Sequence, residues 1–159
     1  MKLIPLPFET VALTSYTHKV FLAAADVAAL AGTTAALQIV PSGATLTNPA
    51  GLAVLAAALI LTTAFDFSDA AINSLLIEVG DGGDPNRFLG QTEIAVDGTE
   101  VLFEASRVTT FPYAYVAADG IDVTFTVAGG ASPLLSECNA GAAEIYLKLV
   151  DLNNLELPT

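Results

Sequence analysis

The sequence predicts an all-β fold, an antiparallel β-sandwich of jelly-roll-like arrangement, and three observations support this. Several segments alternate apolar and polar residues, most clearly residues 121–127, with four apolar against three polar side chains. Turn-forming pairs such as Asp97–Gly98, Asp119–Gly120 and Gly129–Gly130 separate the segments. Only residues 23–31 have the pattern of a helix. About seven or eight strands with so little helix are typical of a sandwich.

The first nine residues are predicted to form an extended N-terminal arm. Pro5 and Pro7 fix their own φ angles and keep the preceding residues out of the helical region. A disordered terminus is the alternative, but the arm is apolar and is expected to dock on a neighbouring surface. Its candidate interface residues are Leu3, Ile4, Leu6 and Phe8.

The rest of the chain, residues 10–159, is predicted to be a single β-sandwich domain, since no repeat or linker divides it. Strands are predicted at residues 10–22, 33–40, 52–63, 75–79, 100–104, 121–127 and 144–149. Asp26 favours the first turn of the short helix, and Gly32 marks its end. Residues 52–63 are rich in alanine and could be helical. Their β-prone end, apolar on both faces, favours a strand covered on both sides.

Charge is scarce and unevenly distributed. Charged residues make up 14% of the chain, the net charge is −12, and residues 27–65 contain no Asp, Glu, Lys or Arg. Five basic residues are too few for the phosphate contacts of nucleic-acid binding or for adhesion to anionic membranes. The longest uninterrupted apolar run, residues 52–61, is half of the ~20 residues that a membrane helix needs. We therefore expect neither a nucleic-acid nor a membrane partner. The charge-free stretch is expected to make subunit contacts, and the acidic half to face water.

Residues capable of catalysis are few. The chain has one histidine and one cysteine, and it contains neither a Gly-x-Ser-x-Gly elbow nor a phosphate-binding glycine loop. His18 is predicted to be a surface strand histidine and Cys138 a buried structural thiol. We therefore predict no enzymatic activity, no catalytic residues and no cofactor.

One polar segment, residues 79–87, is a candidate calcium loop. Asp81, Asp84 and Asn86 supply hard oxygen ligands within six residues, although their spacing differs from that of an EF-hand. A polar turn between two elements is the alternative. Because the chain lacks tryptophan, a saccharide-binding platform would have to use Tyr113, Tyr115 or Phe111.

Several segments in a fixed order carry a resemblance to a known group of proteins. They are Lys19-Val20-Phe21, residues 25–30, Leu61-Thr62-Thr63-Ala64-Phe65, residues 78–89 and residues 143–152. In this order they resemble small β-sandwich virion proteins of tailed bacteriophages, of the capsid decoration or head auxiliary type. The resemblance covers residues 17–152 and marks an order of strands, so no functional residue is carried over.

The resemblance implies a structural component of a phage particle, a decoration or cement protein made in the host cytoplasm and located on the capsid surface. Its partners would be the major capsid protein or other virion proteins and its own copies, in a homo-oligomer for which a trimer is implied. Two alternatives stay open: a tail- or fibre-associated virion protein, and a carbohydrate-binding β-sandwich module with loop aromatics and calcium.

Overall fold

The computed structural model describes residues 3–5, 16–40, 52–96, 103–106, 113–115 and 119–151. The described part of the chain holds ten strands, one helical turn and one 3-10 turn. The strands are β1 Leu3–Pro5, β2 His18–Ala23, β3 Thr34–Val40, β4 Leu52–Phe67, β5 Ile72–Asp81, β6 Asp84–Ala95, β7 Phe103–Ser106, β8 Tyr113–Ala114, β9 Ile121–Gly129 and β10 Cys138–Asp151. The helix α1 is Ala24–Ala28, and the 3-10 turn is Leu135–Glu137.

The strands form two antiparallel sheets. The first sheet has the order β1-β2-β10-β4-β7, with β8 also paired to β4, and the second has the order β3-β9-β5-β6. Without the short β1 and β8, the sheets are 2-10-4-7 and 3-9-5-6. Successive strands therefore change sheet, except in the β5–β6 hairpin. This is the eight-strand order of a jelly roll, and it confirms the predicted all-β sandwich.

The core lies between the sheets and is built by alternation along each strand. In β9, Ile121, Val123, Phe125 and Val127 are buried while the residues between them are partly exposed. Other strands of both sheets add large side chains to the same cluster, among them Leu22, Leu59, Leu61, Phe65, Leu75, Ile77, Phe88 and Ile145. Burial of these apolar side chains from both inner faces holds the two sheets together.

The two longest strands, β4 and β10, are central in the first sheet and pair with each other along most of their length. Ala57, Ala58 and Leu59 are consecutive and buried, so β4 is covered on both faces at its middle, whereas Thr62 and Thr63 of the predicted strand are exposed. The strand continues to Phe67, past the predicted end at residue 63. No helix among the described residues is long and apolar enough to cross a membrane.

The helix is shorter than predicted, residues 24–28 instead of 23–31. The Asp26 carboxylate accepts a hydrogen bond of 3.0 Å from the Ala23 backbone N–H, which caps the first turn. Only Val27 of this helix is buried. Gly32, with φ +83°, lets the chain turn into β3.

Residues 3–5 of the predicted arm are extended and pair with β2 of the same chain, with Leu3 opposite Val20 and Pro5 opposite His18. Leu6 and Phe8, and the first residues of the strand predicted at 10–22, lie outside the described residues. Docking of the arm on a neighbouring copy stays a prediction.

The charge-free stretch does not form one face of the described molecule. Its first strand, β3, is at an edge of the second sheet, whereas β4 is central in the first. The inward face of β4, with Val54, Ala57, Leu59 and Leu61, lacks charge because it is buried in the chain's own core. Any surface for other molecules must therefore be identified from exposed residues instead of from this stretch as a whole.

Candidate functional site

The β5–β6 hairpin carries the sequence-predicted calcium candidates. Its turn is held by Asp81, whose Oδ1 accepts hydrogen bonds from the backbone N–H groups of Gly83, at 3.0 Å, and Asp84, at 2.9 Å. Gly80 has no room for a side chain, because a Cβ atom there would lie 2.1 Å from the Asp84 carbonyl oxygen. The hairpin therefore depends on a glycine and on an aspartate that bonds its own backbone.

The Asp81 side chain is buried and ion-paired. Asp81 is 3% exposed. Its Oδ2 lies 2.6 Å from Nε of Arg87, a residue of β6 on the other side of the turn. The Tyr115 hydroxyl donates to the same oxygen at 3.3 Å. Burial by itself would lower the pKa of Arg87, but the hydrogen bond and the charge of Asp81 raise it above its ordinary value. The Arg87 guanidinium is therefore stabilised in its charged form by its contact with Asp81.

Three aromatic rings surround this ion pair. The Arg87 guanidinium lies 4.3 Å from the centre of the Tyr113 ring, a cation–π contact. Tyr113 meets Tyr115 edge-on at 5.0 Å and Phe88 at 5.7 Å. Burial, followed by the charges of Asp81 and Asp119, raises the pKa of Tyr115 far above its ordinary value, so its hydroxyl stays a donor to Asp81. We call Asp81, Arg87, Phe88, Tyr113 and Tyr115 the hairpin cluster.

Most side-chain oxygen atoms of the calcium candidates Asp81, Asp84 and Asn86 already have hydrogen-bond partners within the protein. Asp81 directs both oxygens to donors of its own chain, and Asp84 accepts a long hydrogen bond of 3.4 Å from the Asn86 N–H. Within the described residues, no group of three or more His, Cys, Asp or Glu side chains is arranged to hold a metal ion. The geometry favours the polar-turn alternative, and calcium binding stays a prediction that a titration can test.

The hairpin cluster contains two of the three aromatic residues predicted for a saccharide platform, Tyr113 and Tyr115. Tyr115 is 5% exposed, and the half-buried Tyr113 is held between Arg87 and two aromatic rings. Neither tyrosine therefore offers an open ring face on which a sugar could stack. Phe111 lies outside the described residues.

Asp122, on β9, lies near the acidic residues of this region. Burial, followed by the charges of Asp119 and Asp81, raises its pKa above the ordinary value. Asp122 therefore lies close enough to Asp119 and Asp81, at this end of the second sheet, for their charges to act on it.

The prediction for His18 is wrong, since this residue is buried, at 9% exposure. His18, Val20 and Leu22 alternate along β2 and face the core together, a signal that the sequence contained. Its Nδ1 lies 2.8 Å from the Thr17 hydroxyl oxygen, and burial lowers its pKa.

The prediction for Cys138 is confirmed: the thiol is 6% exposed. Burial, together with the charge of Asp66, raises its pKa to about 11. A thiol in this state is a weak nucleophile, because the thiolate is the reactive form.

The outer face of the first sheet carries an exposed aromatic ring among charged groups. Phe21 is 46% exposed and lies in register with Glu144, which in turn is opposite Ile60. Beside them, Lys19 Nζ and Glu144 Oε1 form an ion pair of 2.9 Å. These side chains are available for contact with other molecules.

No protein-family model matches this chain, and no curated protein matches it at a significant level.

Proposed function

We propose that this protein is a non-enzymatic structural component of a tailed-phage particle, a decoration or cement protein that binds the capsid lattice and its own copies. The observation that carries the proposal is the strand order 2-10-4-7 facing 3-9-5-6. Jelly rolls of this kind are common in viral capsid and lectin domains. Because one fold hosts several functions, the choice between a capsid role and a lectin role depends on the surface and the core of this protein.

The packing of the core supports a structural role. Phe65, Phe88 and Phe125 are fully buried and contribute large side chains to the packed core cluster. The hairpin cluster is likewise used inside the fold. What the described part of the chain presents to other molecules is its sheet faces and edges, as an assembly protein does.

The composition supports the same role. With charged residues at 14%, well below the usual ~25%, the chain has unusually few charges with which to cover its surface. Cores of subunit interfaces are depleted in charge in the same way. Among the described residues, the uncharged edge strand β3 is an example of such a surface.

The carbohydrate-binding alternative lacks a free ring face at Tyr113 and Tyr115. Calorimetric titration with calcium and with a glycan panel tests it directly. We expect no heat of binding in either titration. Saturable heat with a glycan would favour the carbohydrate-binding module over the capsid role.

The proposal itself is tested by quantitative mass spectrometry of phage particles purified from the strain that carries this gene. We expect the chain in the particles, at a copy number that is a simple multiple or fraction of that of the major capsid protein. Absence from the particles would overturn the proposal. A few copies per particle would overturn the capsid position and support the tail or fibre alternative.

A further inference from the structure

The two sheets have four edges, and three of them carry features that block pairing with another strand. Proteins protect open edges with short strands, prolines, charges or bulges. In the first sheet, β1 has three residues including Pro5, and the opposite edge is divided between β7, with four residues, and β8, with two. In the second sheet, β6 carries Pro85, Arg87 and Glu93, and its pairing with β5 is bulged.

The fourth edge, β3, has little of this protection: its pairing with β9 is irregular only between Gln38 and Val40. It runs for seven residues, Thr-Ala-Ala-Leu-Gln-Ile-Val, with no charge and no proline. It pairs with β9 on one side through residues 34–40, and no other described strand pairs with its second side. An edge strand of this kind presents a row of backbone N–H and C=O groups that can pair with another strand.

The side chains of β3 are also incompletely covered. Ala35 and Leu37 point to the core but are only partly buried, although the residues opposite them on β9, Phe125 and Val123, are fully buried. A strand added beside β3 would cover both, because residues opposite each other on neighbouring strands share a face.

We propose that β3 is an interaction surface that pairs antiparallel with β3 of a second copy, about a twofold axis at Leu37. The two four-stranded sheets would then join into one continuous sheet. Leu37 would face its own counterpart, and Ala36 would face Gln38 of the other copy on the exposed side. A twofold interface of this kind is self-complementary and closes after two copies.

Charge favours β3 as the edge through which a second copy would pair. Each chain carries a net charge of −12, so two copies repel each other except where their surfaces are neutral. Pairing of two β6 edges would add Asp84 and Glu93 from both copies to the contact, whereas pairing of two β3 edges adds no charge. Among the described edges that are longer than four residues, β3 is therefore the one whose own residues add no charge to the contact; the charge nearest to it on β9 is Asp122, opposite Gln38.

Oligomer mass, measured by light scattering on a dilution series, tests the proposal with two matched double variants. Ala36→Glu/Gln38→Glu places two like-charge pairs across the twofold axis. Gln91→Glu/Ala131→Glu makes the same chemical changes at exposed positions on β6 and after β9. We expect the mass of two chains for the parent and for the second variant, and at least a tenfold weaker self-association for the first.

Three results would overturn the proposal: a parent that stays monomeric, a mass of three chains that the first variant leaves unchanged, and equal weakening by both variants. A cysteine cross-link gives a second test that does not depend on the stability of the first variant. Residues opposite each other in antiparallel strands have Cα atoms about 4.5–5.5 Å apart, within the range for a disulfide. Oxidised Leu37→Cys should run as a dimer on a non-reducing gel, and Gln91→Cys should not. A Leu37→Cys that stays monomeric would contradict the pairing.

This pairing is independent of the proposed function. A dimer that is absent from phage particles would overturn the capsid role and leave the β3 contact standing. Particles that contain the protein as a trimer formed without β3 would support the capsid role and overturn the β3 contact.

Discussion

The Asp81 carboxylate is held in place by its ion pair with Arg87. The Asp81 side chain is only 2% exposed, whereas that of Arg87 is 22% exposed. We predict that Arg87→Met destabilises the fold by about 3–5 kcal/mol, because it leaves a buried charge without its counterion. Tyr115→Phe, which removes one 3.3 Å hydrogen bond to the same carboxylate, should cost about 0.5–1.5 kcal/mol. Urea denaturation at pH 7 measures both.

The double variant Asp81→Asn/Arg87→Met is the control for this effect. It should be more stable than Arg87→Met alone, since no unpaired charge remains. If Arg87→Met costs no more than Tyr115→Phe, the ion pair does not hold the hairpin.

Gly141 on β10 is a second sensitive position. Its φ is +126°, and a Cβ atom there would lie 2.4 Å from the Phe65 ring. We predict that Gly141→Ala costs about 2–5 kcal/mol, because overpacking adds to backbone strain. Gly32→Ala is the matched control: its φ is +83°, but no atom lies within 4 Å of the added Cβ, so strain alone should cost about 1–2 kcal/mol. Equal losses in thermal or urea unfolding would show that the ring contact is unimportant.

His18 makes the stability depend on pH. Burial lowers its pKa below the ordinary 6.5, so the unfolded chain takes up a proton at a higher pH than the folded protein does. Its contribution is therefore present above pH 6.5 and is lost as pH falls through the lowered pKa. We predict that the parent loses more stability between pH 7 and pH 5 than His18→Gln does, in urea denaturations at each pH.

Asp122 works in the opposite direction, because burial and the charges of Asp119 and Asp81 raise its pKa. Its contribution to stability is present below the ordinary value of 3.8 and is lost as pH rises through the raised pKa. For this reason the comparison with His18→Gln, and not the slope of the parent alone, isolates the histidine. Identical slopes would contradict the prediction.

The site could be predicted from the sequence only in part. The sequence places Asp81 and Asp84 in a polar turn. The structural role of Asp81 depends on its ion pair with Arg87, which forms only because residues 84–95 fold as a strand. Tyr115 reaches it from a position 34 residues later in the chain, and no local pattern signals such a contact.

At the scale of elements, the predicted strands are those with clean alternation or an apolar run. β9 and the middle of β10 were predictable because polar and apolar residues alternate on a half-buried strand. β6 was not, since Pro85, Asn86 and Gly90 are turn formers. Such residues are tolerated here because β6 is an edge strand with bulged pairing.

The N-terminal arm allows a prediction at the same scale. Deletion of residues 1–9 removes β1, which pairs with β2 at an edge of the first sheet. The domain should stay folded by circular dichroism, since the core cluster of the described residues is built between Val20 and Leu149. Binding to particles that lack the protein should fall at least tenfold, because we expect Leu3, Ile4, Leu6 and Phe8 to contact neighbours.

Deletion of Lys2 alone is the control and should leave binding unchanged. If particles bind the truncated protein at full occupancy, the arm has no role in assembly.

At the scale of the whole molecule, the jelly-roll order explains why a division of the sequence by charge is not a division of the surface. Successive strands change sheet, so β3 and β4 from the charge-free stretch lie in different sheets, beside strands from the acidic half. Each sheet therefore combines both halves. The contacts are expected at particular neutral surfaces, such as the edge of β3, and not across one half of the chain.

The capsid role is tested most directly by electron cryomicroscopy of particles from the strain that carries this gene. We predict density for a two-sheet sandwich, repeated with the symmetry of the capsid lattice on its outer surface and missing when the gene is deleted. A deletion mutant whose capsid surface is unchanged, or sandwich density confined to the tail, would contradict the capsid role.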